Sequence, residues 1–167
     1  MRVTIQEIKE MKGRGEKIAM ATAYDYTSAR LLEEAGMSIM LVGDSLGQVV
    51  LGYDTTLPVT MDEMVHHARA VVRGTRSSHI AVDMPFLSYQ ADAPEAIRNA
   101  GRLLKEGGAQ SVKLEGGRQM AETVRLMVQS GIPVMAHIGL TPQAINQLGR
   151  PRVQGKSSDA ALHLLDD

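Results

Sequence analysis

The chain has 167 residues, a formal net charge of −1, 44% hydrophobic and 22% charged residues, and no cysteine. These values fit one globular domain with a real core, and they exclude disulfides, thiolate chemistry and the basic surface that nucleic acid requires. Aromatic residues are only 3%, and the start Met1–Ile8 is mixed and charged, unlike a signal peptide. Stacking platforms for bases are therefore not expected. No apolar run reaches the roughly 18–20 residues of a membrane span, so the expected location is the cytoplasm.

Thr4 and Glu7 form a cap and first turn for a helix that runs to about Lys12 and stops at Gly13. Ile18–Thr22 reads as a first buried strand, Tyr24–Tyr26 as a loop, and Ser28–Ala35 as a helix closed by Gly36. A second strand ends at Asp44, and Gly47–Pro58 reads as a long irregular connection. A helix starts at Thr60 and runs to about Gly74, before a third strand that ends at Asp83. Pro94–Glu106 is a helix stopped by Gly107 and Gly108, followed by a strand ending at Glu115. A helix around Gln119–Ser130 precedes the strand ending at His137. Thr141–Gln147 reads as a short helix, Gly149–Ser158 as a loop, and Asp159–Asp167 as a further helix.

Strand and helix thus alternate about five times, the signature of an α/β fold. A doubly wound sheet and a (β/α)8 barrel both begin this way. A full barrel typically needs about 250 residues, and this chain, read as a single domain over 1–167, supplies only five strands.

Four of the strands share one pattern: a short apolar run ending in an ionisable residue and then Gly or Pro. They are Ser38–Asp44, His79–Asp83, Gln110–Glu115 and Pro133–His137. In a parallel fold the C-terminal strand ends meet on one face, where ligands bind. Asp44, Asp83, Glu115, Lys113 and His137 then converge on one pocket.

Three converging carboxylates repel one another unless a cation neutralises them, and an all-oxygen set suits a hard divalent ion, most often Mg2+. The competing reading is that each carboxylate caps the following helix or pairs with Lys or Arg. Lys113 lies two residues before Glu115 and shares its face. Its partner is either the carboxylates, in a structural or metal-site role, or an anionic substrate. His137 fits a metal ligand, an acid–base group or a hydrogen-bond donor. Ser45 offers a hydroxyl and an N–H to a carboxylate. Gly43-Asp44-Ser45-Leu46-Gly47 is not a nucleophile elbow, and Gly107-Gly108 and Gly116-Gly117 form no phosphate-binding loop. His66 and His67 diverge on a helix, cannot chelate one ion together, and read as solvated.

Several runs resemble the ketopantoate hydroxymethyltransferase family: Thr22–Asp25, Leu41–Gly47, Thr56–Thr60, Asp83–Phe86, Val112–Gly117 and His137–Gln143, in order along the whole chain. The resemblance implies a barrel of the phosphoenolpyruvate mutase and isocitrate lyase type, of which this chain corresponds to about the first five-eighths. It implies transfer of a hydroxymethyl group from 5,10-methylenetetrahydrofolate to 3-methyl-2-oxobutanoate through a Mg2+-stabilised enolate, giving 2-dehydropantoate for pantothenate synthesis. It further implies Mg2+ on Asp44 and Asp83, with Glu115 in or next to the coordination shell. Ser45, Lys113 and His137 would bind the 2-oxo acid beside the metal ligands Asp44 and Asp83, with Lys113 and His137 in catalytic roles. The family's general base, a glutamate after the next strand, would lie beyond Asp167, and the complete enzyme is expected to be a homo-oligomer. Two alternatives stay open: another Mg2+-dependent lyase or mutase of the same superfamily, or a non-catalytic product that binds a 2-oxo acid or partner subunits. For the 167 residues alone, exposed sheet edges lead us to expect poor solubility and at most marginal turnover.

Overall fold

The computed structural model describes residues 1–167. Helix α1 (Ile5–Gly13) and helix α4 (Met61–Gly74) each begin with a capping box, Thr4 with Glu7 and Thr60 with Glu63. In α4 the Glu63 N–H donates to Thr60 Oγ1 (3.2 Å) while Glu63 Oε2 accepts from the Thr60 N–H (2.7 Å). Each such cap stabilises a helix start by roughly 1 kcal/mol. Asp25 caps α2 (Tyr26–Glu34), and Asp92 caps α5 (Ala93–Lys105), which has Pro in its first turn. The remaining helices are α3 (Leu46–Val49), α6 (Ala121–Gln129), α7 (Ile145–Leu148) and α8 (Ser158–Asp166).

Five strands, β1 (Met20–Thr22), β2 (Ile39–Val42), β3 (His79–Asp83), β4 (Ser111–Glu115) and β5 (Val134–His137), form one sheet in the order β1-β2-β3-β4-β5. Every pairing is parallel. The strand order follows the sequence without reversal, which is barrel winding; a doubly wound sheet reverses direction at a switch point.

Helices α4 and α5 cover the middle of the sheet. Met64, Val65, Ala68 and Val71 of α4 and Ala96, Ala100 and Leu103 of α5 share one core with Met40, Ile80, Val112 and Leu114 of the strands. Burying a side chain of this size contributes about 1.5–3 kcal/mol. Two long-range clamps hold the chain around α4. The Arg2 guanidinium donates to the carbonyls of Val72, Thr75 and Ser78, sealing the α4 C-terminus. The Glu33 carboxylate accepts the N–H groups of Arg76, Ser77 and Ser78. No helix is long and apolar enough to cross a membrane.

Several sequence expectations shift at element ends. The first strand is shorter than Ile18–Thr22 and is not buried; its residues are exposed or half-buried, because β1 has a neighbour on one side only. The half-exposed β5 departs from the buried pattern for the same reason. Helix α2 starts at Tyr26, two residues before the expected Ser28, because the Asp25 carboxylate accepts the Ser28 N–H at 2.8 Å. The connection expected to be irregular after Asp44 opens with the single helical turn of α3. The expected helix over Thr141–Gln147 divides into a 3₁₀ turn, Pro142–Ala144, and α7.

Candidate active site

The C-terminal strand ends enclose a cavity of about 270 Å3 whose wall includes Asp44, Ser45, Asp83, Lys113, Glu115 and His137. All six residues singled out in the sequence therefore meet in one place. The register explains how. Asp83 is the lateral partner of Lys113, and Glu115 is the lateral partner of His137. Asp44 follows the end of β2 by two residues, and its N–H donates to Asp83 Oδ2 at 3.0 Å. A turn at Gly116, whose φ is +119°, directs the chain away immediately after Glu115. That conformation suits glycine, and a Cβ there would lie 2.8 Å from Met120 Cγ.

Lys113 Nζ donates to Asp83 Oδ2 at 3.1 Å and lies 3.8 Å from Glu115 Oε1. All three side chains are buried. Burial pushes the Asp83 carboxyl above its ordinary range, the Lys113 ammonium opposes this, and the Asp44 charge reinforces it. The Glu115 carboxyl is also pushed up, first by burial; the Gln143 N–H and Lys113 act the other way, and Asp44 again raises it.

Asp83 Oδ1 and Glu115 Oε1 are fully buried and have no hydrogen-bond partner. A buried carboxylate oxygen without a hydrogen bond is costly unless a water, an ion or a ligand reaches it; Glu115 Oε1 also has the Lys113 ammonium at 3.8 Å. When ionised, the three carboxylates outnumber the single ammonium by two charges, the charge of a divalent cation. The donor set is entirely oxygen. The residues thus fit a hard divalent ion such as Mg2+. No three Asp, Glu or His side chains stand close enough together to hold one ion by themselves, so such an ion would draw most of its ligands from water or from substrate, as Mg2+ usually does.

Ser45 Oγ lies 2.9 Å from the Tyr24 hydroxyl. The His137 ring approaches the Leu140 carbonyl through Nε2 at 2.6 Å. A carbonyl only accepts, so Nε2 carries the proton and Nδ1 is left as the basic nitrogen. Of the two helical histidines, His66 is exposed as expected, but His67 is not simply solvated: its Nδ1 meets the Tyr24 carbonyl at 2.6 Å.

Charge-based reading of the sequence missed four polar residues. Tyr24 touches Ser45, and Thr56 lines the cavity with an unpartnered buried hydroxyl. Gln143 and Tyr89 form a buried network behind Asp44 and Glu115. Their only signal was membership of runs shared with a known family or proximity to one. A second groove, of about 330 Å3, shares Glu115 with the cavity and is lined by a mainly apolar surface that includes Leu57, Phe86 and Met120, with Gln90, Gln119 and Asn146 at its wall.

Parallel strands wound in sequence order, with acidic residues at their C-terminal ends, define a (β/α)-barrel architecture, of which five strands are present. Solved structures agree. A 2,3-dimethylmalate lyase, itself a member of the PEP mutase/isocitrate lyase superfamily, matches with a TM-score of 0.62 over 90% of this chain and 56% of its own, at 15% identity. A phosphonopyruvate hydrolase in complex with oxalate and Mg2+ matches with a TM-score of 0.58 over 96% of this chain and 66% of its own, at 13% identity. At these identities the likeness concerns the fold alone.

The particular family is closer. The ketopantoate hydroxymethyltransferase model matches residues 2–167, and the chain belongs to that family. It is 63% identical over 166 residues to the 3-methyl-2-oxobutanoate hydroxymethyltransferase of Carboxydothermus hydrogenoformans, covering 99% of this chain and 60% of that protein. The enzyme of the same name from Syntrophus aciditrophicus is 56% identical, covering 99% and 61%. The chain thus spans about 60% of the length of the curated relatives it matches.

Proposed function

We propose that this chain carries the 2-oxo-acid and metal half of a hydroxymethyltransferase. The reaction joins the methylene carbon of 5,10-methylenetetrahydrofolate to C3 of 3-methyl-2-oxobutanoate with consumption of one water, giving 2-dehydropantoate and tetrahydrofolate. The observation that carries the reading is the pair of orphaned buried oxygens, Asp83 Oδ1 and Glu115 Oε1, beside Asp44 and Lys113. Identity to relatives of that name supports the choice of substrates.

Asp44, Asp83 and Glu115 would hold Mg2+. Bound there, the ion supplies Lewis-acid stabilisation for the negative charge that develops on the keto oxygen when C3 loses its proton. Lys113, held by Asp83 at 3.1 Å, faces the substrate carboxylate and balances its charge. The Ser45 and Tyr24 hydroxyls, 2.9 Å apart, supply a donor for the same end of the substrate. His137 keeps its Nε2 proton on the Leu140 carbonyl and presents Nδ1 to accept from the new hydroxymethyl group. Removal of the C3 proton is assigned to none of these residues. The mainly apolar groove beside Glu115, with Gln90, Gln119 and Asn146 at its wall, suits the flat, neutral ring of the folate.

The test is tetrahydrofolate release from a complete enzyme carrying this sequence, supplied with both substrates. Release that requires both Mg2+ and the 2-oxo acid is expected. Turnover of a 2-oxo acid without folate would assign the site to a lyase or mutase instead.

A further inference from the structure

Gln143 stands where the sequence offers no charge and no nucleophile, yet it makes the densest set of contacts near the cavity. It is 5% exposed and sits in the 3₁₀ turn Pro142–Ala144 after β5. Its Nε2 donates to Asp44 Oδ2 (2.8 Å) and to the Met84 carbonyl (2.9 Å). Its Oε1 accepts from the Tyr89 hydroxyl (2.7 Å) and from Gln90 Nε2 (3.2 Å). Its backbone N–H donates to Glu115 Oε2 at 3.0 Å. Tyr89 closes the network, because its hydroxyl accepts the Glu115 N–H at 3.0 Å.

The carboxamide is used to capacity, with both N–H groups and both lone pairs of the carbonyl engaged. Its orientation is also fixed by chemistry. Turned over, the carbonyl would face a carboxylate and another carbonyl, and the NH2 would face the NH2 of Gln90. A glutamate would set a second negative charge against Asp44. Only a neutral group with donors at one end and an acceptor at the other satisfies these neighbours.

We infer that Gln143 is the positioning residue of the cation site, fixing one oxygen of Asp44 through its side chain and one oxygen of Glu115 through its backbone. The inference rests on the functional reading above. With Asp44 Oδ2 and Glu115 Oε2 occupied, the second oxygen of each carboxylate stays available to a ligand; Glu115 Oε1 is indeed without a hydrogen bond. The orientation of the carboxylates is then set before any ion arrives. Loss of outer-shell hydrogen bonds of this kind typically costs about 10–100-fold in metal affinity.

The experiment is a titration of the full chain with Mn2+ in the absence of substrate, followed by electron paramagnetic resonance, with melting temperatures recorded in parallel. Wild type is compared with Gln143→Leu, which keeps the bulk and loses every side-chain hydrogen bond, and with Tyr89→Phe, which loses the hydroxyl that orients Gln143 and accepts the Glu115 N–H. The expected result is a Kd for Mn2+ raised about tenfold or more in Gln143→Leu and severalfold in Tyr89→Phe, with Tyr89→Phe still melting cooperatively. If Gln143→Leu does not fold, Tyr89→Phe decides alone. Wild-type affinity in a folded variant, or collapse of both variants, overturns the inference in favour of a purely structural glutamine. Absence of Mn2+ binding by wild type overturns the underlying functional reading, and the inference with it.

Discussion

Lys113 Nζ lies 3.1 Å from Asp83 Oδ2 on the neighbouring strand and 3.8 Å from Glu115 Oε1 on its own. One ammonium thus serves two buried carboxylates, and each of those carboxylates keeps an oxygen without a hydrogen bond. The strands set this geometry directly, since Asp83 and Lys113 are lateral partners in the sheet.

Replacing Lys113 by Met should therefore lower both stability and substrate affinity. Removing one member of a buried pair leaves an uncompensated charge, at a cost of about 3 kcal/mol. The deficit should shrink in acid, because Asp83, whose pKa is already raised by burial, then takes up a proton and no longer needs the ammonium. Urea unfolding at pH 5 and pH 8, together with KM for the 2-oxo acid, checks both parts. A lowered melting temperature with unchanged KM would confine Lys113 to a structural role.

Asp83→Asn keeps the shape of the side chain and its acceptor for the Asp44 N–H but removes the charge proposed to hold the cation. Mg2+-dependent turnover of a complete enzyme carrying this sequence should fall by about 100-fold or more, and the fold should lose stability, because the buried Lys113 ammonium loses its charged partner at 3.1 Å. Asp44→Ala should also abolish turnover. Near-wild-type rates at saturating substrate in either variant would remove these residues from the metal site.

Glu33 gives a pH prediction away from the site. Burial raises its pKa, but the N–H groups of Ser77, Ser78 and Arg76 outweigh that and hold it down at about 2. A carboxylate with a depressed folded-state pKa stabilises the fold above its unfolded pKa of roughly 4.3 and loses that contribution as pH falls toward 2. Glu33→Gln should lower the melting temperature at pH 7, with the difference from wild type closing between about pH 4 and pH 2. A difference that stays constant over that range would show that the cradle does not depend on charge.

Strands β1 and β5 each have a free edge, and Met20 and Ile138 beside those edges are 45% exposed. Unpaired edges recruit other strands. Residues 1–167 produced alone should self-associate in analytical ultracentrifugation. A monodisperse, cooperatively melting monomer would show that these edges are protected in solution.

Much of this arrangement was legible in the sequence because it is local. The capping boxes at Thr4–Glu7 and Thr60–Glu63 are four-residue signals, and each lies where its helix begins. The strand-end residues were readable because burial forces apolar runs, which leaves the terminal Asp, Glu or His conspicuous. The start of α2 was less readable: Asp25 is a good cap, but Tyr26 and Thr27 are poor helix formers, and only the bond from Ser28 shows the helix already under way. The extent of β1 depends on its single neighbour. Gln143 was not readable from residue chemistry, since it is neutral, lies in a turn, and reaches partners 28 and 99 residues away in sequence.

The central claim is that Asp44, Asp83, Glu115 and Lys113 form one site for a 2-oxo acid held with a divalent cation. Titration calorimetry of 3-methyl-2-oxobutanoate into the full chain, with Mg2+ and then with EDTA, tests it most directly. The account predicts saturable binding with Mg2+ that disappears with EDTA and in Asp83→Asn. Equal binding with and without the metal, or no binding in either condition, would contradict it.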